Sequence, residues 1–266
     1  MPEGDTVYRA ARLLDRELSG RTLTATDFRV PQHATVDLSG GLVLTTASRG
    51  KHLLTRVEHE GTAWTLHTHL KMEGAWRVLE HGRRWPRPTH QARVVLETEA
   101  RVAVGFSLGI VELLPTDAEL GVVGHLGPDL LGADWDEAEA LHRLGEQPDR
   151  EVGDALRDQR NLAGLGNMYV AELCFVSGVH PRVPVGDLPA LPRMLRRGKQ
   201  MLELNKERAV QSTTGDLRER ERMWVYRRDR SPCRRCGTPV RVDMQGPAGL
   251  ERAIYWCPRC QPEPSR

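Results

Sequence analysis

The sequence predicts an α+β multidomain chain: an N-terminal helix with a β-sandwich, an all-α middle region, and a short C-terminal hairpin held by cysteines. Three observations carry this. Apolar residues repeat at helical spacing over residues 5–18, residues 20–114 break into many short strand-like runs, and four of the five cysteines form two Cys-x2-Cys pairs near the C-terminus. A length of 266 residues favours about two domains and is enough to bury a proper core. With 28% charged and 39% hydrophobic residues the chain reads as globular rather than disordered. It contains no apolar run near the ~20 residues a membrane helix needs, which argues against a spanning protein or a membrane partner. The N-terminus carries Glu3 and Asp5 and lacks the apolar core segment of a secretory signal. The expected location is therefore cytoplasmic and nucleoid-associated, where thiols stay reduced.

The elements follow in order. Val7, Ala10, Ala11, Leu14 and Leu18 form one helical stripe. Leu42–Ala47, Lys51–Val57, Ala63–His67, Arg93–Glu97 and Val111–Leu114 are strand-like runs cut by Gly, Pro and charged turns, the spacing of a sandwich or barrel. The first domain is read as residues 1–115, and the Gly/Pro/Asp-rich stretch 116–132 as a linker. Asp134 is the expected N-cap of a helix over 135–144. Further helices are expected at Glu151–Arg157, at Met168–Val176 (stopped by Gly178 and Pro181) and from Leu191 to about Ala209. This all-α region runs over 133–223, and a basic, Cys-rich segment over 224–266.

Charge is uneven. The net charge is +2, yet residues 116–155 hold 2 basic and 11 acidic residues and residues 193–266 hold 18 and 9. A basic C-terminal third suggests a polyanion partner, most often nucleic acid, against the alternative of an Arg-rich solvated face.

Cys233-x2-Cys236 and Cys257-x2-Cys260 are separated by 20 residues, enough for a β-hairpin out and back. Four thiolates from two turns suit one tetrahedral zinc ion; two disulfides are the rival, which a reducing compartment disfavours. Metal binding would supply most of the folding energy of so small a segment. Arg234, Arg235, Arg241, Arg252 and Arg259 surround it, either as phosphate contacts or as a solvated basic face. Cys174, within Ala-Glu-Leu-Cys-Phe, reads as a buried inert thiol.

At the N-terminus, removal of Met1 would make Pro2 a secondary amine. An α-amine titrates near 8, so a useful fraction is neutral at cell pH and can attack an electrophilic carbon to form an iminium ion. Glu3 beside it can donate a proton. Alone, this dipeptide is a common chance start.

Further motifs agree with it. In order they are Pro2-Glu3-Gly4; Ser48-Arg49-Gly50-Lys51-His52-Leu53-Leu54; the looser His69-Leu70-Lys71-Met72-Glu73-Gly74; Asp158-Gln159-Arg160-Asn161-Leu162-Ala163-Gly164-Leu165-Gly166-Asn167-Met168-Tyr169 with Glu172; and Arg252-Ala253-Ile254-Tyr255-Trp256-Cys257-Pro258-Arg259-Cys260-Gln261. With them the chain resembles the formamidopyrimidine-DNA glycosylase/endonuclease VIII family over nearly its full length. It lies closest to the endonuclease VIII side, particularly its actinobacterial-type second branch. The resemblance implies a two-layered β-sandwich behind the first helix, a helix-two-turn-helix domain and a zinc finger, with a damaged nucleotide flipped out of the DNA stack.

It also implies chemistry. The Pro2 nitrogen attacks C1′ and displaces the base, Glu3 protonates the sugar ring oxygen, and β- then δ-elimination cuts the strand on both sides. Lys51 and Arg252 match family residues that hold phosphates near the lesion and complete the catalytic set. Asn167, after Gly164-x-Gly166, opens a helix whose N–H groups suit phosphate. His69 and, more loosely, His90 match DNA-contacting histidines; for His67 and His69 a structural hydrogen bond is the alternative. Met72 matches the residue that fills the void left by flipping, with an ordinary core methionine as the alternative.

Two departures stand out. Asp5 and Thr6 occupy places where the family often has Pro and Glu. The stretch Arg101–Ser107 lacks the Arg-Phe pair that probes the opposite base. The expectation is a monomeric bifunctional DNA glycosylase and abasic-site lyase acting on damaged DNA, duplex, single-stranded or forked, with oxidised pyrimidines as substrates. The rivals are the same chemistry on oxidised purines, and a zinc-ribbon DNA-binding protein without chemistry.

Overall fold

The computed structural model describes residues 2–264. They form two compact units that divide in sequence between His125 and Leu126, inside the stretch read as a linker. Among the described residues no helix is long and apolar enough to cross a membrane.

The first unit opens with α1 (Gly4–Leu18), whose stripe Val7, Ala11, Leu14 and Leu18 is buried. The helix is fixed at its far end. Asp15 accepts from the Ser19 hydroxyl (2.7 Å), the Thr45 hydroxyl (3.1 Å) and the Thr46 backbone N–H (2.9 Å). Eight strands follow: β1 (Leu23–Phe28), β2 (Leu42–Arg49), β3 (His52–His59), β4 (Thr62–His69), β5 (Ala75–Leu79), β6 (Ala92–Thr98), β7 (Val102–Phe106) and β8 (Ile110–Pro115). They make two four-stranded antiparallel sheets, ordered β1-β6-β7-β5 and β2-β3-β4-β8. Leu23, Val94, Leu96 and Ala103 from the first sheet and Val43, Leu53, Leu66 and Val111 from the second share one core with the α1 stripe. A short helix, α2 (Leu120–Val123), follows β8.

The strands β1, β5 and β7 lie outside the runs singled out in the sequence. β7 is buried on both faces, because Val102, Val104 and Phe106 form a second cluster against Trp85, so it shows no alternation. β7 joins β8 through residues 107–109 alone, so no Arg-Phe pair projects there.

The second unit holds α3 (Glu137–Gly145), α4 (Val152–Arg157), α5 (Asn167–Ser177) and α6 (Leu191–Asn205), then a hairpin of β9 (Arg241–Gln245) and β10 (Arg252–Trp256). Asp136, not the expected Asp134, caps α3, its carboxylate accepting from the Glu139 N–H at 3.0 Å. α6 stops at Asn205, short of Ala209, because that side chain is committed to Met201 O, Ser212 O and Ser212 N–H, which turn the chain away.

α5 is the centre of the unit. Met168, Tyr169, Val170 and Leu173 pack in the helical core, while Ala171 and Phe175 pack against Val225, Cys233, Val240 and Cys257 of the Cys-rich segment. Gly178, at φ 70°, ends it in the left-handed region where glycine costs least. Glu172 on the same helix is fully buried. It accepts the backbone N–H groups of Trp224, Val225 and Tyr226, each at 2.8 Å, and the Thr213 hydroxyl.

Candidate active site and nucleic-acid interface

In the first unit, Pro2 is half-buried and stands just ahead of α1. Glu3 is the N-cap residue (φ −125°, ψ −172°); its carbonyl accepts from Val7 N–H at 3.0 Å, and its fully buried carboxyl does not cap the helix. Asp5 is buried in the first helical turn, where the helix dipole favours a negative charge. β2 and β3 are joined by a two-residue turn, Gly50-Lys51, with Arg49 opposite His52 and Gly50 at φ 57°. That turn brings Lys51 within the field of Glu3. Burial pulls the Lys51 ammonium below its usual range, and the Glu3 carboxylate opposes this. Glu3 and Lys51, 48 residues apart in sequence, are thus brought together.

His69 ends β4, and its Nδ1 accepts from the Lys71 N–H at 2.8 Å. Burial, then the charges of Lys71 and Lys51, lowers its pKa to about 4. His67 takes the structural alternative, bonded to Glu112 and His52 at 2.8 and 2.7 Å. Met72 is 59% exposed, so the core-methionine alternative falls; it rides on the turn after β4, where Lys71 has φ 50°. His90 is exposed in the short 3-10 turn Thr89–Gln91, and among the described residues no hydrogen bond or ring contact joins it to Lys51 or His69.

The second unit gathers the other candidates. Asn167 opens α5, as the glycines ahead of it permit, and Gly164 sits at φ 111°. Its side chain, however, turns to the protein: Nδ2 donates to Ala253 O at 2.7 Å and Oδ1 accepts from Arg157 at 3.3 Å. Asn167 therefore sets the position of β10 at the residue beside Arg252. Arg252 is exposed, and its guanidinium bonds only the neighbouring Glu251 O at 3.2 Å among the described residues.

Arg157 escaped the sequence reading. It donates to Asn167, Asp154 and Gln245 O, and burial lowers its pKa, with Arg252 a nearby cation. Its only signal was a cation directly preceding the Asp158 motif. Two of the five hairpin arginines serve the fold instead of a ligand. Arg234 pairs with Glu221, and Arg235 stacks over Phe175 at 4.6 Å.

The four cysteine sulfurs lie within 4.8 Å of one another, with Cys233···Cys260 at 3.9 Å and Cys236···Cys257 at 3.4 Å. Tetrahedral metal–thiolate bonds of about 2.3 Å would separate sulfurs by about 3.8 Å, so the set can hold a metal ion. It is the one such cluster among the described residues. Gln261 closes the last knuckle, accepting from Cys257 N–H and donating to Val179 O. Cys174 is apart from it in the core, its thiol pushed up by burial to about 12.

Known proteins are similar to this chain in sequence and fold. Residues 1–107 match the formamidopyrimidine-DNA glycosylase N-terminal domain. A probable endonuclease 8 2 of Streptomyces coelicolor is 54% identical over 100% of this chain and 95% of its own length. A DNA-(apurinic or apyrimidinic site) lyase of Mycolicibacterium smegmatis is 49% identical over 98% of this chain and 99% of its own. Among solved structures, MutM in complex with DNA containing carbocyclic 8-oxo-G superposes with a TM-score of 0.78 at 23% identity, over 98% of this chain and 100% of that one, and so shares the fold. Full-length identity at this level, together with the sandwich, the helices and the cysteine hairpin, places the chain in the formamidopyrimidine-DNA glycosylase/endonuclease VIII family, on its endonuclease VIII side.

Proposed function

We propose that the chain is a bifunctional DNA glycosylase and abasic-site lyase of base excision repair that removes oxidised pyrimidines. Family membership supports the class, a relative's name as an abasic-site lyase supports the lyase step, and the chain's place on the endonuclease VIII side is the ground for choosing oxidised pyrimidines. The observation that carries the mechanism is Pro2-Glu3 at the head of α1 with the Glu3 carboxyl buried beside Lys51. Once Met1 is removed, the Pro2 nitrogen attacks C1′ and the base departs with its bonding electrons and a proton. Glu3 delivers a proton to the ring oxygen as the C1′–O4′ bond opens, leaving an iminium ion. The iminium acidifies C2′–H. Loss of that proton expels the 3′ phosphate, and a second elimination releases the 5′ phosphate.

Lys51 and His69 in the sandwich unit, and Arg252 in the second unit, are read as phosphate contacts, with Asn167 holding the strand that carries Arg252. Met72 is the side chain for the emptied base position, and His90 is a peripheral contact. Zinc is the reading for the metal, held by Cys233, Cys236, Cys257 and Cys260; it supplies a structural cross-link and takes no part in the reaction. The test is borohydride trapping on single-lesion oligonucleotides followed by peptide mapping. An adduct on Pro2, lost with an uncleavable N-terminal tag, is the expected result; an adduct on Lys51 would overturn the assignment.

A further inference from the structure

The outer face of the β2-β3-β4-β8 sheet carries a row of polar groups that the mechanism above leaves unused. Glu112 Oε2 accepts from His67 Nδ1 at 2.8 Å, and His67 Nε2 lies 2.7 Å from His52 Nδ1. Register builds the row: Glu112 on β8 faces His67 on β4, and His52 on β3 faces His69. His67 is 2% exposed, whereas the Glu112 side chain is half in water. The His52 ring rests edge-on against His69 at 5.0 Å and lies 6.2 Å from His125.

A carboxylate only accepts, so His67 Nδ1 carries a proton. That leaves two ways to make the His67–His52 bond. With His67 neutral, its Nε2 is a lone pair, His52 donates from Nδ1, and the Nε2 of a neutral His52 is bare. With His67 protonated against Glu112, its Nε2 donates, His52 Nδ1 accepts, and a neutral His52 carries its proton on Nε2. One proton at His67 therefore converts His52 Nε2 from acceptor to donor. His52 stays neutral in both states, since burial and then His69, His67, His125 and Lys71 depress its pKa to about 3. Among the described residues no side chain or backbone group bonds that Nε2.

We propose that Glu112, His67 and His52 form a proton-gated donor for one backbone phosphate of bound DNA, with a single proton taken from solvent onto His67 for each phosphate held at His52 Nε2. The proposal rests on the DNA-binding reading above and extends it to the phosphate side of the same site. No covalent bond changes. An anion is repelled by a lone pair and held by an N–H, so binding selects the protonated state of His67. The groups facing the row are consistent with a ligand of negative charge. Lys51 acts on His69, Lys71 acts on both His52 and His69, and Arg49 is the β2 register partner of His52. Further along the same face Arg56 is closed off by both carboxylate oxygens of Glu119. Glu112 and His67 are positioning residues, acting through His52.

The experiment has two arms on the full chain. In the first, 15N spectra of the imidazoles are followed from pH 8.5 downward. His52 should exchange an Nδ1–H tautomer for an Nε2–H tautomer as His67 gains its proton. In the second, affinity for a duplex carrying one tetrahydrofuran abasic analogue is measured over the same range. Wild type should weaken as pH rises, by up to about tenfold per pH unit, the slope of one linked proton. Glu112→Gln keeps an oxygen for His67 Nδ1–H but removes the charge that favours the His67 proton, and should move the onset of that weakening to lower pH. An Nε2–H tautomer at every pH, or an unchanged onset of weakening in Glu112→Gln, would overturn the proposal. A chain that binds the duplex at no pH would overturn the DNA reading and the ligand named here, while the tautomer exchange in the first arm would still decide whether the relay exists.

Discussion

Replacing Glu172 by Gln should unfasten the segment that leads into the cysteine hairpin. The carboxylate receives four donors with two oxygens: Val225 and Tyr226 N–H on one, Trp224 N–H and the Thr213 hydroxyl on the other. Glutamine keeps one oxygen. Its NH2 then meets the Trp224 N–H, leaving a buried donor unsatisfied at about 1–3 kcal/mol. The Val225 and Tyr226 bonds also fall from charge-assisted to neutral, about 1 kcal/mol each. Relief of the carboxylate's own desolvation offsets part of this, so the net loss should be about 2–3 kcal/mol. For a protein of this size that is roughly 4–12 °C in Tm. A thermal melt followed by tryptophan fluorescence reads it directly, because Trp224 sits in the affected segment. A variant melting within about 1 °C of wild type would show that water or a shifted backbone satisfies those N–H groups, and the anchoring role would be wrong.

Other perturbations separate the remaining roles. Arg252→Ala should weaken binding to lesion DNA and lower the salt slope by about one, whereas Asn167→Ala should weaken it with the slope intact, because Asn167 acts through the Ala253 carbonyl. Met72→Ala should change stability by no more than about 0.5 kcal/mol but slow excision from duplex more than from single strand, as measured by single-turnover kinetics. Cys257→Ser or strong chelation should remove bound zinc by metal analysis and impair DNA binding while the sandwich unit stays folded. Asp158 is held below its ordinary value of 3.8 by the side-chain hydrogen bond from Arg160 and then that from Arg150. Its stabilisation should thus be complete above about pH 4 and drain away as pH falls, a loss that acid titration should find reduced in Asp158→Asn.

What was legible in the sequence is what local chemistry writes there. The cysteine pairs, the α1 stripe and the stop at Gly178 each depend on spacing within a few residues, and each lies where the spacing puts it. β7 was not legible, because a strand covered on its outer face by Trp85 has no polar side to reveal its period. Asp134 and Asp136 compete for one cap, and only the backbone at Asp136 (φ −124°, ψ 107°) decides between them. The motif around Lys51 was readable as a motif, but its tie to Glu3 needed the β2–β3 turn. The Glu112–His67–His52 row was invisible for the same reason: it is assembled by pairing three strands whose partners lie 15 and 45 residues apart.

The fastening of Asp15 to Ser19, Thr45 and Thr46 has a bearing on chemistry at the opposite end of its helix. In the proposed reaction the Pro2 nucleophile has no second flanking residue to hold it, so its coordinates are inherited from whatever clamps the helix behind it. Asp15 lies 13 residues from Pro2, about 20 Å along a helix axis. Slippage by one turn there would carry the Pro2 nitrogen about 5 Å from its place, and for the proposed attack even a fraction of that exceeds the tolerance of a near-attack geometry. On the proposed assignment of Pro2 as nucleophile, its precision is set in part by hydroxyl groups of Ser19 and Thr45 that no substrate needs to touch.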